Sequence, residues 1–282
     1  MESNRMPAAP VGKRWMITGS ATGIGALLAQ TLLNQGISVV ATDKDSTGLA
    51  ALQSHGADLL ILPMDLRQPT QIIRTMQAAR DSGPIDILVN NAAIFAGGPF
   101  EELDVADVEE VFAVNVFGAM RVSQALIPTM RERRQGRIIN ISSDAGLFGL
   151  PFGSPYSASK WALEGFSEAI AHELALFDIG VSLLEICGSY GTSMRDLAIA
   201  HARARHNPAS PYAKIIEARL SKAERTQNEA GDPGEVVAAI IRLAADPLPP
   251  LRVAVGPKAG LLEMPRLLGN EPFVMAIRSK LS

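Results

Sequence analysis

The sequence is poor in the residues from which disulfides, metal sites and nucleic-acid surfaces are built. Its 282 residues include a single cysteine, Cys187, so no disulfide can form within the chain, and its four histidines are scattered and have no cysteine partners. Positive charge is not in excess, because 26 lysines and arginines face 29 aspartates and glutamates, a formal net charge of -3. We therefore expect no metal site and no nucleic-acid partner.

Long apolar runs are also missing. No stretch of about 18 consecutive apolar residues occurs, and residues 1–13 are polar and proline-bearing. The sequence thus predicts no membrane span and no signal peptide. We expect a flexible segment over residues 1–13 and a cytoplasmic protein.

From Arg14 onward, short apolar runs alternate with longer helical patterns. This alternation is typical of parallel strands joined by crossover helices, and the nearly continuous apolar character of the runs indicates a sheet covered on both faces. The predicted strands are Arg14–Thr18, Ser38–Thr42, Asp58–Pro63, Ile85–Asn90, Arg137–Ser142, Val181–Ile186 and Arg252–Val255. Helices are expected to begin near Ile24, Ser46, Thr70, Asp104, Tyr156 and Pro233. The prediction is one α/β domain over residues 14–282 with a doubly wound, parallel, seven-stranded sheet.

Two segments interrupt this alternation. Residues 193–231 contain two helical patterns but no strand, and they follow the C-terminal end of a predicted strand. Because open parallel sheets bind ligands at that edge, we expect residues 193–231 to form a substrate-binding lid, with a plain surface excursion as the alternative. The C-terminal extension, residues 256–282, carries an apolar-basic helical pattern that could pack on the core or on a partner subunit.

A glycine-rich turn follows the first predicted strand and leads directly into a helix. It reads Thr18-Gly19-Ser20-Ala21-Thr22-Gly23-Ile24-Gly25. Gly19 allows a tight turn, Gly23 lets backbone N–H groups approach a pyrophosphate, and Gly25 lets the helix pack closely on the strand. The helix N-terminus adds a positive dipole. The sequence therefore predicts a Rossmann-type dinucleotide site. Its expected phosphate-side residues are Gly19, Ser20, Thr22, Gly23, Ile24 and Gly25.

Four further segments extend this motif over residues 14–195. They are Asp65-Leu66, Asn90-Asn91-Ala92-Ala93, Asn115, and Ser143 with Tyr156-Ser157-Ala158-Ser159-Lys160. With them the chain resembles the short-chain dehydrogenases/reductases of the compact single-domain type, and its long insertion and tail resemble those of the hydroxysteroid and retinol dehydrogenase branch. The resemblance implies an oxidoreductase that uses NAD or NADP.

The same resemblance assigns residues to the cofactor. It implies that Asp65 bonds the adenine amine with Leu66 beside it, and that Asn91 holds the sheet near the cofactor. It also implies that the backbone of Tyr190 contacts the carboxamide, and that Thr192 contacts the carboxamide or the pyrophosphate.

Asp43 bears on the choice of cofactor. It ends the second predicted strand, where a carboxylate would accept hydrogen bonds from the adenosine ribose and repel a 2′-phosphate, which favours NAD. Lys44 follows directly and could pair with a phosphate, so NADP is the less favoured alternative. Asp43 could also cap the turn formed with Asp45 and Ser46, which is compatible with cofactor binding.

Four polar residues are candidates for catalysis. Tyr156 and Lys160 lie four apart at the start of a predicted helix, so they share one face. Ser143 follows the fifth predicted strand and Asn115 lies in the helix after the fourth, which places all four groups at the edge that carries the glycine turn. Strand alternation points Ser142 away from Ser143.

The chemistry of carbonyl reduction suits these residues. Hydride transfer to a ketone requires a proton for the oxygen, and the reverse reaction requires a base, for which a tyrosine with a pKa of about 10 is poor. An ammonium at about 4 Å favours phenolate by up to roughly 4 kcal/mol at an effective dielectric of about 20, so we expect Lys160 to lower the pKa of Tyr156. Tyr156 is the predicted acid/base, Ser143 the donor to the substrate oxygen, and Asn115 the anchor of a water that links Lys160 to solvent. By resemblance, Lys160 also binds the nicotinamide ribose, and Tyr156 is counted with it among the cofactor-binding residues.

Two positions depart from the family pattern. Ala93 stands where the family usually has glycine, a tolerable change if the backbone there is not left-handed. Cys187 stands where the family typically has proline, and the freed φ and added N–H are expected to loosen the loop against the nicotinamide or to alter cofactor binding. No histidine is placed to activate Cys187 as a nucleophile.

The expected pocket lining favours a lipophilic secondary alcohol or ketone, because it is mostly apolar. It comprises Ala93-Ile94-Phe95, residues 145–152, Tyr190, Met194, Leu197 and Ile199. The alternatives are a redox sensor that binds NAD(P) without turnover and a lyase or epimerase that uses bound cofactor catalytically. Apolar faces predict a homodimer or homotetramer. These faces are Val108, Val111, Phe112 and Val116, and Trp161, Phe166 and Ile170.

Overall fold

A parallel seven-stranded sheet forms the centre of the structure, a computed structural model that describes residues 6–190, 193–205, 207–225 and 230–260. The strands are β1 (Arg14–Thr18), β2 (Ser38–Thr42), β3 (Leu59–Ile61), β4 (Ile87–Asn90), β5 (Gly136–Ser143), β6 (Ile179–Ile186) and β7 (Arg252–Val255). The helices are α1 (Gly23–Asn34), α2 (Ser46–Ala50), α3 (Pro69–Asp81), α4 (Val105–Phe112), α5 (Ala119–Glu132), α6 (Ser154–Ala175), α7 (Ser193–Ala204), α8 (Ala213–Arg225) and α9 (Pro233–Ala245). The predicted doubly wound α/β fold is confirmed.

The strand boundaries follow the prediction most closely at β1, β2 and β7, which span the predicted residues. β5 and β6 are longer than predicted, because they pair over eight residues from Gly136↔Ile179 to Ser143↔Ile186. β3 is shorter, with three residues, since this edge strand pairs only with β2.

Alternate residues of the strands face two apolar cores, one on each side of the sheet. In β1, Trp15 and Ile17 pack with α1 and α9, whereas Met16 packs on the opposite side with α3, α5 and α6. All three side chains are fully buried, and burial of each such side chain stabilises the fold by about 1.5–3 kcal/mol. Because both faces are covered, nearly every strand position is apolar, which made the strands visible in the sequence.

The strand order is β3-β2-β1-β4-β5-β6-β7, so the direction of winding reverses at β1. The chain moves outward from β1 to β2 and β3, and then crosses back to β4 on the other side of β1. The connections after β1 and after β4 therefore separate to opposite sides, which opens a crevice at the carboxyl edge of the sheet.

A continuous helical stretch, Val105–Glu132, consists of α4, a π-helical turn (Ala113–Gly118) and α5. By length and composition it is apolar enough to cross a membrane, but half of its most apolar 18-residue window is buried in the protein, as in a core helix. A count of consecutive apolar residues misses this stretch because Asn115 and Arg121 interrupt it.

The apolar faces used to predict an oligomer are only partly at the surface. Val111, Val116 and Ile170 are buried within the chain, so their assignment to a surface face is wrong. They serve the core because each lies on the inner side of its helix. Trp161 is 54% exposed and Phe117 46% exposed, so the prediction of an oligomer now depends on these residues.

Part of the segment predicted to be flexible packs on the sheet's helical layer. Gln35, at the end of α1, accepts a hydrogen bond from the Ala9 N–H and donates one to the Pro7 carbonyl. Ala9 is buried and belongs to the core that contains α1. Residues 1–5 lie outside the described part of the chain.

Candidate active site

A cavity of about 560 Å³ lies at the carboxyl edge of the sheet, in the crevice where the winding reverses. Among the predicted residues that line it are Gly19, Thr22, Gly23, Ile24, Asp43, Asp65, Leu66, Asn91, Ser143, Tyr156, Lys160 and Tyr190. Ser20 and Asn115 are buried behind the lining and Gly25 is buried in α1. Thr192 lies outside the described residues.

The glycine turn has the backbone that its sequence predicts. Gly19 and Gly23 adopt left-handed φ angles of 73° and 59°. A Cβ on Gly25 would lie 2.0 Å from the Gly19 carbonyl oxygen, so no side chain fits where α1 crosses the turn. The first turn of α1 carries no acidic residue, which leaves the positive end of its dipole available to an anion.

Asn91 fastens the end of β4 to this turn. Its side-chain amide donates to the carbonyls of Thr18 and Gly19, at 3.0 and 3.1 Å. In return the Thr18 hydroxyl accepts from the backbone N–H groups of Asn91 and Ala92. The two loops at the crevice are thereby held in one fixed relation, as expected for Asn91.

Asp43 also contacts the glycine turn, which the sequence alone did not indicate. Its Oδ2 accepts from the Ala21 N–H at 3.0 Å, and its Oδ1 accepts from the Asp45 N–H. Asp45 in turn caps α2 by accepting from the Thr47 N–H. Asp43 therefore has the capping role considered above and also lines the cavity.

Arg67 is a positively charged residue that lines the cavity and belongs to none of the sequence motifs. Its guanidinium donates to both carboxylate oxygens of Asp65 and forms an ion pair with Glu110. The hydrogen bond from Arg67 holds the pKa of Asp65 below its ordinary value against the opposing effect of burial. Asp65 is thus held ionised, with Arg67 as its partner in this structure.

Tyr156 lies in the first turns of α6, and its ring packs at a tilt against Phe95 with 5.3 Å between centroids. Ser143 ends β5 beside it, and the two hydroxyls interact. The Ser143 hydroxyl also donates to Asp144 Oδ1 at 2.9 Å and accepts from the Ala145 N–H. The predicted pair of hydroxyls is therefore brought together at the cavity.

Lys160 lies one turn further along α6 and is almost fully buried. Its Nζ lies 5.6 Å from the centroid of the Tyr156 ring and donates to the Ile141 carbonyl at 2.7 Å. Burial lowers the pKa of Lys160 to about 8, although the nearby Glu164 carboxylate acts in the opposite direction. Four-residue spacing thus places both side chains on the same face, as predicted.

The expected direction of the Tyr156 pKa shift is wrong for the protein's own groups. Burial raises the pKa of Tyr156 to about 12, the interaction with Ser143 lowers it, and the negative charge of Asp144 raises it further. The expectation from the sequence set the attraction of a lysine charge at about 4 Å above the desolvation that opposes it. In the structure the Lys160 Nζ lies 5.6 Å from the centroid of the ring, and the cost of burying a phenolate dominates.

Asn115 lies in the π-helical turn, buried behind the cavity. Its Oδ1 accepts from the Ile94 N–H, and its Nδ2 donates to the Ile94 carbonyl and to the Ser159 hydroxyl. Both amide protons are thus used by protein groups, so the side chain ties the segment after β4 to α6. The expected water anchor stays a prediction.

Ser142 points away from Ser143, as strand alternation predicts. Its hydroxyl is buried 2.9 Å from the point where a Cβ on Gly146 would lie, and Glu164 Oε1 lies beside the same point. Ser143 is therefore the serine whose hydroxyl adjoins Tyr156.

The two departures from the family pattern, at Ala93 and at Cys187, turn out differently in the structure. Ala93 does not have a positive φ, so it is accommodated as expected. Cys187 is buried, and its N–H donates to the Val255 carbonyl at 2.8 Å, which continues the pairing of β6 with β7. The expectation of a loosened loop is therefore wrong at this residue, because the N–H that a proline would lack forms a hydrogen bond. Burial raises the pKa of the Cys187 thiol to about 12, which disfavours a nucleophilic thiolate.

The insertion after β6 packs against the rest of the domain through polar contacts. Arg205, after α7, forms an ion pair with Asp107 of α4, and Tyr212 donates to Glu101. Arg219 of α8 stacks over the Phe152 ring. Ala198 of α7 lines the cavity, whereas the side chains of Met194 and Leu197 lie outside what the structure describes.

Within the described residues, no group of three or more His, Cys, Asp or Glu side chains is placed to hold a metal ion. Two charged residues of the catalytic end were not anticipated from the sequence, Asp144 and Lys258, both of which line the cavity. In the sequence, Asp144 looks like an ordinary turn residue. Lys258 is separated from Ser143 by more than a hundred residues.

The chain is similar to known proteins in both sequence and structure. Residues 13–201 match the family model for short chain dehydrogenase. Estradiol 17-beta-dehydrogenase 1 of Rattus norvegicus is 37% identical over 256 residues, which cover 84% of this chain and 72% of the relative. Retinol dehydrogenase 8 of Homo sapiens is 34% identical over 259 residues, which cover 88% of this chain and 82% of the relative. A solved short chain dehydrogenase/reductase from Burkholderia phymatum, in complex with NAD, is similar with a TM-score of 0.78 and 26% identity over 94% of this chain and 95% of that one.

Proposed function

Because the chain belongs to the short-chain dehydrogenase family, whose members are NAD(P)-using oxidoreductases, we propose that it interconverts a lipophilic secondary alcohol and its ketone. One observation carries the proposal: Ser143, Tyr156 and Lys160 line the same cavity as the glycine turn. A redox sensor needs only the glycine turn. The presence of a hydroxyl pair and a buried lysine at the other end of the cavity favours turnover.

The residues present fit a dinucleotide. The backbone at Gly19 and Gly25 leaves no room for a Cβ, and the open N-terminus of α1 suits a pyrophosphate. Asp43 would hold the adenosine ribose, Asp65 the adenine, and Lys160 the nicotinamide ribose. When bound, the nicotinamide supplies or accepts the hydride.

The chain's own groups handle the proton. In ketone reduction Tyr156 Oη gives its proton to the carbonyl oxygen while the carbonyl carbon gains the hydride, and in alcohol oxidation the phenolate takes that proton back. A raised pKa keeps Tyr156 protonated at neutral pH, which suits the acid role. Lys160 stabilises the phenolate that reduction leaves behind, and Ser143 can donate to the developing alkoxide.

Alcohol oxidation should therefore accelerate with pH. The reactive form is the phenolate, and a pKa of about 12 makes it scarce at neutral pH, so its fraction rises tenfold with each pH unit. We expect log kcat/KM to rise with a slope near one from about pH 6 to 8. The slope should diminish above about pH 8, because Lys160, whose pKa is about 8, then loses its charge. Initial rates of reduced-cofactor formation test this, and a pH-independent rate would contradict the role of Tyr156.

We propose NAD as the preferred cofactor, although relatives of known structure carry NAD or NADP+. Lys44 and Arg67 both line the adenosine end of the cavity, but Arg67 is paired with Asp65 and Glu110, whereas Asp43 contributes a carboxylate there. Repulsion between Asp43 and a 2′-phosphate supports this preference.

Replacement of Asp43 should shift the preference toward NADP. For Asp43→Asn, which keeps an acceptor for the Ala21 N–H, we expect the ratio of kcat/KM for NADP to that for NAD to rise about tenfold. Asp43→Ala should shift it in the same direction with an added loss from the missing hydrogen bond. Asp81→Asn, remote from the cavity, is the matched control. Equal use of NAD and NADP by the unmutated protein would count against this assignment.

The cavity's apolar wall supports a lipophilic substrate. Ile94, Phe95, Leu150, Ile186 and Ala198 line its catalytic end. The two relatives described above are named for estradiol and retinol, both lipophilic alcohols. A panel of 2-butanol, 2-decanol, 1-phenylethanol, estradiol and sorbitol, with the matching carbonyl compounds, tests the proposal through nicotinamide absorbance. We expect turnover to increase with apolar size, and tight cofactor binding without turnover on the whole panel would favour the sensor.

The role of the insertion, the role of the C-terminal extension and the oligomeric state of the protein are proposals. We propose that residues 193–231 act as a lid, supported by Ala198, which lines the cavity, and by the contacts of Arg205 with Asp107 and of Arg219 with Phe152. Most of the C-terminal extension, residues 261–282, lies outside the described chain. A homodimer or homotetramer and a cytoplasmic location stay predictions.

A further inference from the structure

The Ser143 hydroxyl has a partner that the proposed reaction does not use. Asp144 follows Ser143 directly, lines the cavity, and accepts the Ser143 hydrogen bond at Oδ1 over 2.9 Å. The catalytic serine is thus coupled to a carboxylate as well as to Tyr156.

Ser143 has only one proton to donate, so its hydrogen bond to Asp144 limits what else it can donate to. A serine hydroxyl carries one proton and two acceptor sites. One acceptor site takes the Ala145 N–H, at 3.2 Å, and the proton goes to Asp144. While that proton faces Asp144, only an acceptor site remains for a substrate, and the donation to Tyr156 that lowers the Tyr156 pKa requires the proton to turn away from Asp144. With the proton directed at Asp144, Ser143 can accept a hydrogen bond but cannot donate one to a substrate oxygen.

The surroundings of Asp144 come from several elements. Its own turn contributes the Ser143 hydroxyl and the Ala145 N–H, and the loop after β6 contributes the Gly188 N–H. The facing ionisable groups are Tyr156 of α6, Cys187 at the end of β6 and Lys258 after β7. Burial is the largest influence and raises the pKa of Asp144, while the donors and Lys258 lower it.

We propose that Asp144 is a positioning residue whose carboxylate withholds the Ser143 proton from the substrate, and whose neutralisation releases that proton to the substrate oxygen. The inference rests on the function proposed above, since it assigns the state in which Ser143 assists Tyr156. A protonated Asp144 donates its own O–H to Ser143 and leaves the Ser143 hydroxyl free to turn toward the developing alkoxide. No bond between heavy atoms changes: one O–H bond forms as the Asp144 carboxylate takes a proton from solvent.

The expected signature is a fall of kcat for ketone reduction with rising pH that disappears when the Asp144 carboxylate is removed. As pH rises through the raised pKa of Asp144, the carboxylate forms, Ser143 stops donating, and kcat for reduction falls. The effect belongs to kcat rather than KM, because the hydrogen bond strengthens as negative charge develops on the oxygen.

Asp144→Asn mimics the neutral state. The Gly188 N–H still needs an acceptor, so the amide oxygen faces Gly188 and the NH₂ group donates to Ser143. With 2-decanone, or the panel ketone of highest kcat/KM, we expect kcat for reduction at the high-pH end of the profile to rise about fivefold to tenfold, the worth of one hydrogen bond, with KM within about twofold. At the low-pH end, where Asp144 is protonated in the unmutated protein, the two proteins should converge to within about twofold.

Three companion variants separate this role from simpler ones. Asp144→Ala also lacks a titrating group and should lose the fall of kcat with pH, even if its absolute rate is lower. Asp81→Asn, an equivalent change on the surface of α3, should keep the profile of the unmutated protein. In a Ser143→Ala background, Asp144→Asn should change kcat by less than about twofold, because the effect passes through Ser143.

The outcomes are distinguishable. If the unmutated protein turns over no panel ketone, or Tyr156→Phe stays active, the proposed function fails and this inference fails with it. If the unmutated protein is active and Tyr156→Phe is not, the inference alone is overturned by either of two results. One is an Asp144→Asn profile that overlays the unmutated one, and the other is an equal gain in the Ser143→Ala background, which would indicate a direct charge effect on Tyr156.

Discussion

Tyr156→Phe should abolish turnover in both directions while leaving cofactor affinity within about twofold. The substitution removes only the hydroxyl, and the phenyl ring can keep its contact with Phe95 at 5.3 Å. Without that hydroxyl, no other group of the described cavity is placed to exchange a proton with the substrate oxygen as Tyr156 is. General acid–base catalysis is worth about 10²–10⁴-fold, so we expect kcat to fall by at least about 10²-fold.

The measurement pairs steady-state rates with a fluorescence titration of the cofactor. Tyr212→Phe is the matched control, because Tyr212 lies in the insertion and its hydroxyl donates to Glu101 rather than to a group of the catalytic end. Retention of a tenth or more of the activity in Tyr156→Phe would refute the mechanism.

Lys160→Ala should damage both turnover and cofactor binding. At 5.6 Å from the Tyr156 ring, one positive charge at an effective dielectric of about 20 stabilises the phenolate by about 3 kcal/mol, or about 10²-fold in rate. Loss of the ammonium also removes the proposed contact with the nicotinamide ribose. The dissociation constant of the cofactor should therefore rise by about tenfold or more, which is the worth of one hydrogen bond to a charged group.

The buried position of Lys160 requires a second variant. Alanine would leave a cavity beside Ile141, whereas Lys160→Met fills most of the volume without the charge. We expect both variants to lose rate and affinity but only Lys160→Ala to lose several degrees of thermal stability. An unchanged cofactor affinity in Lys160→Met would contradict the ribose contact.

The positions of the strands and of the candidate catalytic residues were predictable from the sequence because both depend on short-range rules. Trp15, Met16 and Ile17 are apolar in succession because β1 is covered on two faces, and the same rule reveals the other strands. Tyr156 and Lys160 share a helix face through their spacing, and Ser142 diverges from Ser143 through strand alternation.

What the sequence could not supply depends on contacts between distant segments. The bond from Cys187 to Val255 and the pairing of Arg67 with Glu110 join residues that only the folded sheet brings together. The pKa of Tyr156 was misjudged for the same reason, since the desolvation that raises it is set by the packing around it. Val111 and Val116 were assigned to a surface face because a helical pattern shows which residues are apolar but not what covers them.

The way the insertion is fastened has a kinetic consequence. Arg205 with Asp107 joins the insertion to α4, and Arg203 with Glu224 joins its two helices; both are partly exposed ion pairs. Each such pair contributes little to stability and weakens as dissolved ions screen its charges. The apolar cores on the two sides of the sheet do not depend on charge in this way. Ionic strength should therefore act on the rates at which ligands enter and leave this cavity well before it alters the stability of the domain.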